Sequence, residues 1–171
     1  MKNGCVYWIT GLSGAGKTTV GKLLYEKIIS CKNNVVFLDG DVLRDIFGND
    51  LSYSIEDRRK SAMRNARLCR FLSGQGIDVV CCTISMFHEV RGWNRENIAE
   101  YCEIYLKVPL DILKSRDQKG LYSSLEKGLK KNIWGLDLEF EEPENPDITI
   151  MNDGSSAPRE IVDGLMSRII G

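Results

Sequence analysis

The sequence predicts a three-layer α/β domain, a five-stranded parallel sheet with helices on both faces. Three observations carry that prediction. Five apolar runs alternate with helical patterns along 171 residues. The runs are apolar through both faces and rich in Val and Ile, as parallel strands covered by helices are. A glycine-rich loop joins the first run to the first helical pattern. A chain of this length fits one α/β domain with a proper core, so residues 1–171 are read as a single domain.

The first run, Cys5–Ile9, follows Met1-Lys2-Asn3-Gly4 directly, which leaves no room for a signal peptide. It leads into Gly11-Leu12-Ser13-Gly14-Ala15-Gly16-Lys17-Thr18, a complete G-x-x-x-x-G-K-[ST] phosphate-binding loop, and then into a helix expected at about 18–30. The second run, Val35–Leu38, ends at Asp39-Gly40-Asp41. A helix at about 55–74 then precedes Ile77–Ile84, whose end carries Thr83-Ile84-Ser85. Helices at about 90–100 and 110–115 flank the fourth run, Cys102–Val108. The fifth run, Ile148–Met151, ends at Asn152-Asp153-Gly154 before a final helix at about 159–170. Such alternation predicts right-handed crossovers, with ligands beyond the carboxyl ends of the strands. Residues Asp117 to Glu144 lack a strand and are long for a connection, so a mobile lid is expected at about 117–135.

Composition excludes several classes. Lys plus Arg number 23 and Asp plus Glu 24, so no global field points to nucleic acid or an anionic membrane. No apolar stretch approaches a membrane span. Six cysteines without a C-x-x-C pair and one histidine make no zinc set, and most of the cysteines lie in apolar runs. A reduced, cytoplasmic protein without disulfides or structural metal is expected.

The loop carries the first chemistry. Its backbone N–H groups converge on phosphate oxygens and the following helix presents its positive end. Gly11, Ser13, Gly14, Ala15, Gly16, Lys17, Thr18 and Thr19 are therefore candidate ATP-binding residues. Lys17 would reach the β- and γ-phosphates and the Thr18 hydroxyl would hold Mg²⁺. Asp39 and Asp41 flank a glycine at a strand end, where one carboxylate can position Mg²⁺ and the other can accept a hydroxyl proton. With no N-K-x-D guanine-reading motif present, a small-molecule kinase fits better than a GTPase.

At these residues the chain resembles the adenylylsulfate kinase (APS kinase) family over essentially its whole length. The matching stretches are Trp8 to Thr19, Leu38-Asp39-Gly40-Asp41 with Arg44, and Glu56-Asp57-Arg58. They continue through Ile84-Ser85 with Phe87, Arg116-Asp117, Lys119-Gly120-Leu121-Tyr122, Phe140-Glu141 and Pro143-Glu144-Asn145-Pro146. The resemblance implies a P-loop nucleotide kinase fold and MgATP-dependent phosphorylation of the 3′-hydroxyl of adenosine 5′-phosphosulfate. Some relatives phosphorylate cytidine diphosphoramidate instead, which is the alternative acceptor. A homodimer is also implied.

By the same resemblance, Asp41 lies closest to the transferred phosphoryl group and the metal, with Asp39 supporting it. Arg44 and Arg58 bind the acceptor's anionic tail, Tyr53 and Phe140 sandwich its base, and Lys119 and Leu121 fold over it. Ile84 belongs to the same acceptor wall. Ser85 stands where the family is assigned a phosphoserine; in-line transfer needs no covalent stop, and its hydroxyl can equally bond substrate or Asp41. Arg116, with the loop after Asn152, brackets the adenine of ATP. Ser61, Met63, Met86 and His88 depart from the family's Asn, Arg, Pro and Arg, and on an acceptor wall such losses would mark a changed acceptor. A different-class alternative is a non-catalytic P-loop regulatory module, but such a module has no need for the second carboxylate.

The lid expectation is checked by hydrogen exchange across residues 117–134. Bound nucleotides should raise protection there, because its four basic side chains, Lys119, Lys127, Lys130 and Lys131, repel one another until anions arrive. Equal protection in the free and bound states would contradict a lid.

Overall fold

The strand order is β2-β3-β1-β4-β5, and every neighbouring pair is parallel. This computed structural model describes residues 2–117, 120, 123, 124, 133–135 and 138–170. The strands are β1 (Val6–Thr10), β2 (Val35–Asp39), β3 (Asp78–Cys82), β4 (Tyr101–Lys107) and β5 (Ile148–Met151). Among the described residues six helices accompany them: α1 (Lys17–Ile29), α2 (Gly40–Ile46), α3 (Ile55–Gly74), α4 (His88–Asn97), α5 (Leu110–Arg116) and α6 (Pro158–Ile170).

Burial follows position in the sheet. Central β1 and β3 are buried at every residue, whereas edge strands β2 and β5 are half exposed. Val6 and Ile9 of β1 stand beside Val79 and Cys82 of β3 on one side, and beside Tyr101 and Ile104 of β4 on the other. The chain leaves β1 toward β2 on one side and returns past β1 to β4 on the other. That reversal opens a crevice at the carboxyl ends of β1 and β3, where such sheets bind ligands.

Local chemistry sets the helix boundaries. Ser54 caps α3, its hydroxyl accepting from the Asp57 N–H at 3.2 Å, with Glu56 and Asp57 in the positive first turn. The buried face of α3 is small (Ala62, Asn65, Ala66, Cys69, Ser73), so the helix lies close on the sheet. Gly21 lets α1 do the same: a Cβ there would stand 2.2 Å from the Cys82 sulfur. Helix α2 is a correction to the sequence reading, which took Asp39-Gly40-Asp41 as a loop. The Asp39 carboxylate caps this short helix by accepting from the Asp41 N–H at 2.9 Å.

All six cysteines are free thiols. Burial pushes the Cys82 thiol up to about 12 and Cys5 to about 11, which keeps both protonated. Among the described residues, no helix is long and apolar enough to cross a membrane, and no cluster of metal-ligating side chains occurs.

One buried ion network fastens the half of the sheet beyond β1. Glu103 of β4 is 2% exposed and Arg91 of α4 is 4% exposed. The Glu103 carboxylate stands 3.4 Å from Arg91 Nε and 3.1 Å from Arg95 Nη2. Arg91 also donates to the carbonyls of Ser85 (3.0 Å) and Glu141 (2.8 Å), tying the turn after β3 to the segment that leads into β5. Burial raises the Glu103 carboxyl and lowers the Arg91 guanidinium, with their mutual attraction opposing both shifts. Glu103→Ala would leave Arg91 buried without its counter-charge and should destabilise the fold by about 3–5 kcal/mol. Urea unfolding measures this, and a loss below about 1 kcal/mol would show that the backbone carbonyls alone satisfy Arg91.

Candidate active site

The crevice holds a cavity of about 590 Å³. One wall is the phosphate-binding loop. Gly16 occupies the left-handed region at φ 88°, which turns the chain from the loop into α1. The Lys17 ammonium donates to the Leu12 carbonyl at 2.8 Å, which folds its side chain back over the loop. Ser13, Gly14, Gly16, Lys17, Thr18 and Thr19 line the cavity; Gly11 and Ala15 are buried within the loop.

The floor comes from the ends of β2 and β3. Asp39 engages both carboxylate oxygens, Oδ2 accepting from the Thr18 hydroxyl at 2.7 Å and Oδ1 from the Asp41 N–H at 2.9 Å. The carboxylate in contact with Thr18 is that of Asp39, whereas the sequence reading named Asp41 with Thr18 for the metal. Asp41 stands two residues further, in the first turn of α2, exposed and on the cavity wall. Thr83 and Ile84 complete this side.

The opposite wall is cationic and aromatic. The Arg44 guanidinium carbon lies 4.4 Å from the Tyr53 ring centroid, and that of Arg58 lies 5.4 Å from it. Arg44 donates to the carbonyls of Leu51 and Ser52, and Arg58 Nε donates to the Tyr53 carbonyl at 2.9 Å. Arg58 also lies 5.8 Å from the Trp134 ring, which packs edge-on against Phe87 at 5.4 Å. These contacts hold two cations on the same cavity as the loop.

Several expected site residues lie elsewhere. Ser85 is fully buried; its hydroxyl has no hydrogen-bond partner among the described residues and does not line the cavity. His88 begins α4 on the outer surface. Its Nδ1 accepts from Arg91 at 2.9 Å, and its Nε2 lies 3.7 Å from Glu144. Met86 is a core residue whose sulfur accepts from the Thr10 hydroxyl at 3.6 Å, and Met63 packs against the core. Ser61, on α3, and Phe140, packed on the core beside Gly135, are likewise absent from the wall. Arg116 donates to the carbonyls of Gly14 (3.3 Å) and Asn152 (2.9 Å) rather than lining the cavity. Lys119 and Leu121 lie outside the described residues, as does much of the expected lid.

Sequence reasoning left Asn49, Thr83, Ile133 and Trp134 out of the site residues, yet all four line the cavity. Asn49 had a legible signal: it sits in the Gly48-Asn49 turn after α2, at φ 53°. Ile133 and Trp134 gave none, because their position depends on how the chain returns across the crevice.

A phosphate-binding loop, two carboxylates at a neighbouring strand end and a cationic second wall around one cavity define a P-loop kinase of small molecules. Within that class the chain belongs to the adenylylsulphate kinase family, whose model matches residues 3–151. It is 39% identical over 170 residues to the cytidine diphosphoramidate kinase of Campylobacter jejuni, covering 99% of each chain. It is 35% identical over 169 residues to the adenylyl-sulfate kinase of Halothermothrix orenii, covering 99% of this chain and 89% of the relative. The structure of the Mycobacterium tuberculosis APS kinase CysC in complex with AMPPNP and APS is similar over the whole of both chains, with a TM-score of 0.90 and 29% identity.

Lys17→Ala should lower kcat by roughly 10²-fold or more while leaving the unfolding midpoint unchanged, since it removes charge stabilisation made mainly in the transition state. Steady-state kinetics beside thermal unfolding checks this. A near-normal kcat would place the transferred phosphate away from this loop.

Proposed function

We propose that this chain transfers the γ-phosphoryl group of ATP to the 3′-hydroxyl of a nucleotide with a 5′ mixed phosphoric anhydride, adenosine 5′-phosphosulfate. One observation carries the reading. The loop, Asp39, Asp41, Arg44, Tyr53 and Arg58 all line a single cavity, so donor and acceptor can meet without crossing solvent. The four departures that would have argued for a different acceptor, Ser61, Met63, Met86 and His88, are not on its wall. Their places off the cavity lining support the family's acceptor.

Each residue then has a task. The loop N–H groups and Lys17 grip the β- and γ-phosphates. Thr18 and Asp39, two oxygen donors already in contact, suit a hard cation and would hold Mg²⁺, which supplies charge neutralisation at the phosphates when bound. Arg44 and Arg58 bind the acceptor's 5′ anions, and Tyr53 offers a face to its base. Asp41 accepts the 3′-hydroxyl proton as that oxygen bonds to the γ-phosphorus. The bond from the γ-phosphorus to the β–γ bridging oxygen breaks, and ADP leaves. The free thiols accord with a reduced, cytoplasmic setting.

A second reading, cytidine diphosphoramidate as acceptor, is favoured by the end-to-end match to the Campylobacter jejuni enzyme of that name. It keeps the same donor and the same residue tasks.

Comparing kcat/KM for the two acceptors, with ADP release as the signal, decides between them. The first reading predicts a preference for adenosine 5′-phosphosulfate of roughly tenfold or more. The reverse order would install the cytidine compound, and no ADP release with either would contradict the proposal. Asp41→Asn should lower kcat far more than it raises the KM for ATP. Asp39→Asn keeps the cap on α2 and should chiefly raise the Mg²⁺ concentration needed for half-maximal rate. If both variants lost only ATP affinity, Asp41 would not be the base.

A further inference from the structure

The back of the phosphate-binding loop carries a contact set that the nucleotide chemistry does not itself require. For loop N–H groups to converge on a phosphate, some loop carbonyls must point away from it and find donors behind. Two side chains, one just after a strand and one at a helix end, supply them. Asn152, the first residue after β5, donates from Nδ2 to the Ala15 carbonyl at 2.9 Å. Arg116, the last residue of α5, donates from Nη1 to the Gly14 carbonyl at 3.3 Å and from Nη2 to the Asn152 carbonyl at 2.9 Å. Asn152 is itself fixed, its N–H donating to the Lys107 carbonyl at the end of β4 at 2.9 Å. The packing is tight: a Cβ on Gly16 would stand 2.8 Å from Asn152 Nδ2.

We infer that Asn152 and Arg116 form a brace behind the loop that holds the Gly14 and Ala15 carbonyls outward and so presets the N–H groups that grip phosphate. Asn152 is thus a positioning residue for the polyphosphate. The inference rests on the loop being the ATP site. It gives the Asn152 side chain a task beside the sequence expectation that Arg116 and the loop after Asn152 bracket the base. Without the brace, the peptide units at 14–16 are free to rotate, and phosphate binding must order them again.

The test uses the full chain and two substitutions, Asn152→Ala and Asn152→Asp. Affinities for MgATP, MgGTP and inorganic tripolyphosphate are measured by titration calorimetry beside kinetics. Asn152→Ala should weaken MgATP and tripolyphosphate by the same factor, roughly tenfold, as loss of one buried hydrogen bond implies. The ATP-to-GTP affinity ratio should not move, and kcat at saturating ATP should stay within about threefold of wild type, since the brace acts on binding. Asn152→Asp keeps the shape yet cannot donate to Ala15, and it puts a negative charge behind the phosphates, so it should bind more weakly still. A role in packing alone would spare this isosteric change. Arg116→Lys, which cannot reach both carbonyls as a fork does, gives the same phosphate-dependent loss if Asn152 variants fold poorly. Unchanged tripolyphosphate affinity, or a collapsed ATP-to-GTP ratio, would overturn the brace. Wild-type chain that binds neither MgATP nor tripolyphosphate would overturn the nucleotide-site reading itself, and the brace with it.

Discussion

The turn that carries the chain out of β1 constrains everything around it. Gly16 at φ 88° and the close approach of Gly21 to Cys82 seat α1 with its N-terminus on the crevice. That placement aims Lys17 and Thr18 into the cavity and brings the Thr18 hydroxyl onto Asp39 at 2.7 Å. Asp39 in turn caps α2, which sets Asp41 and Arg44 two and five residues beyond it. A phosphate grip, a metal-side carboxylate, a base and an anion-binding cation therefore descend from one backbone turn and one capping interaction.

The second wall depends on different physics. Arg44 and Arg58 bond backbone carbonyls and lie against Tyr53. Carbonyl and ring partners orient a guanidinium toward the cavity without themselves cancelling its charge. The buried Arg91–Glu103 pair shows the contrasting case, a cation spent on holding α4 to β4. Arg116 stands between the two, bonded to the carbonyls of Gly14 and Asn152 and placed behind the loop.

The five strands, the loop and the carboxylates were legible in the sequence because each is a local pattern: apolar runs, a spaced glycine motif, an Asp-Gly-Asp at a strand end. Helix α2 was missed although its Asp39 cap was in view, because Asp-Gly is also a turn signal and a helix of seven residues has little periodicity. His88, Ser85 and Met86 were misplaced for another reason. Nearness in sequence to a strand end fixes a residue's neighbourhood but not which way its side chain points. Here Met86 turns into the core, Ser85 is buried, and His88 turns outward to Arg91 and Glu144. Ile133 and Trp134 join the wall from a distant part of the chain, which no local pattern records.

The central claim is that one cavity delivers a phosphoryl group from ATP to a sugar hydroxyl of a second nucleotide. Product analysis by phosphorus and proton NMR tests it most directly, after incubation with MgATP and adenosine 5′-phosphosulfate or cytidine diphosphoramidate. The account predicts a new phosphomonoester coupled to the ribose H3′ proton, formed with stoichiometric ADP. A phosphate found only on the 5′ chain, or ADP formed without any phosphorylated nucleotide, would contradict it.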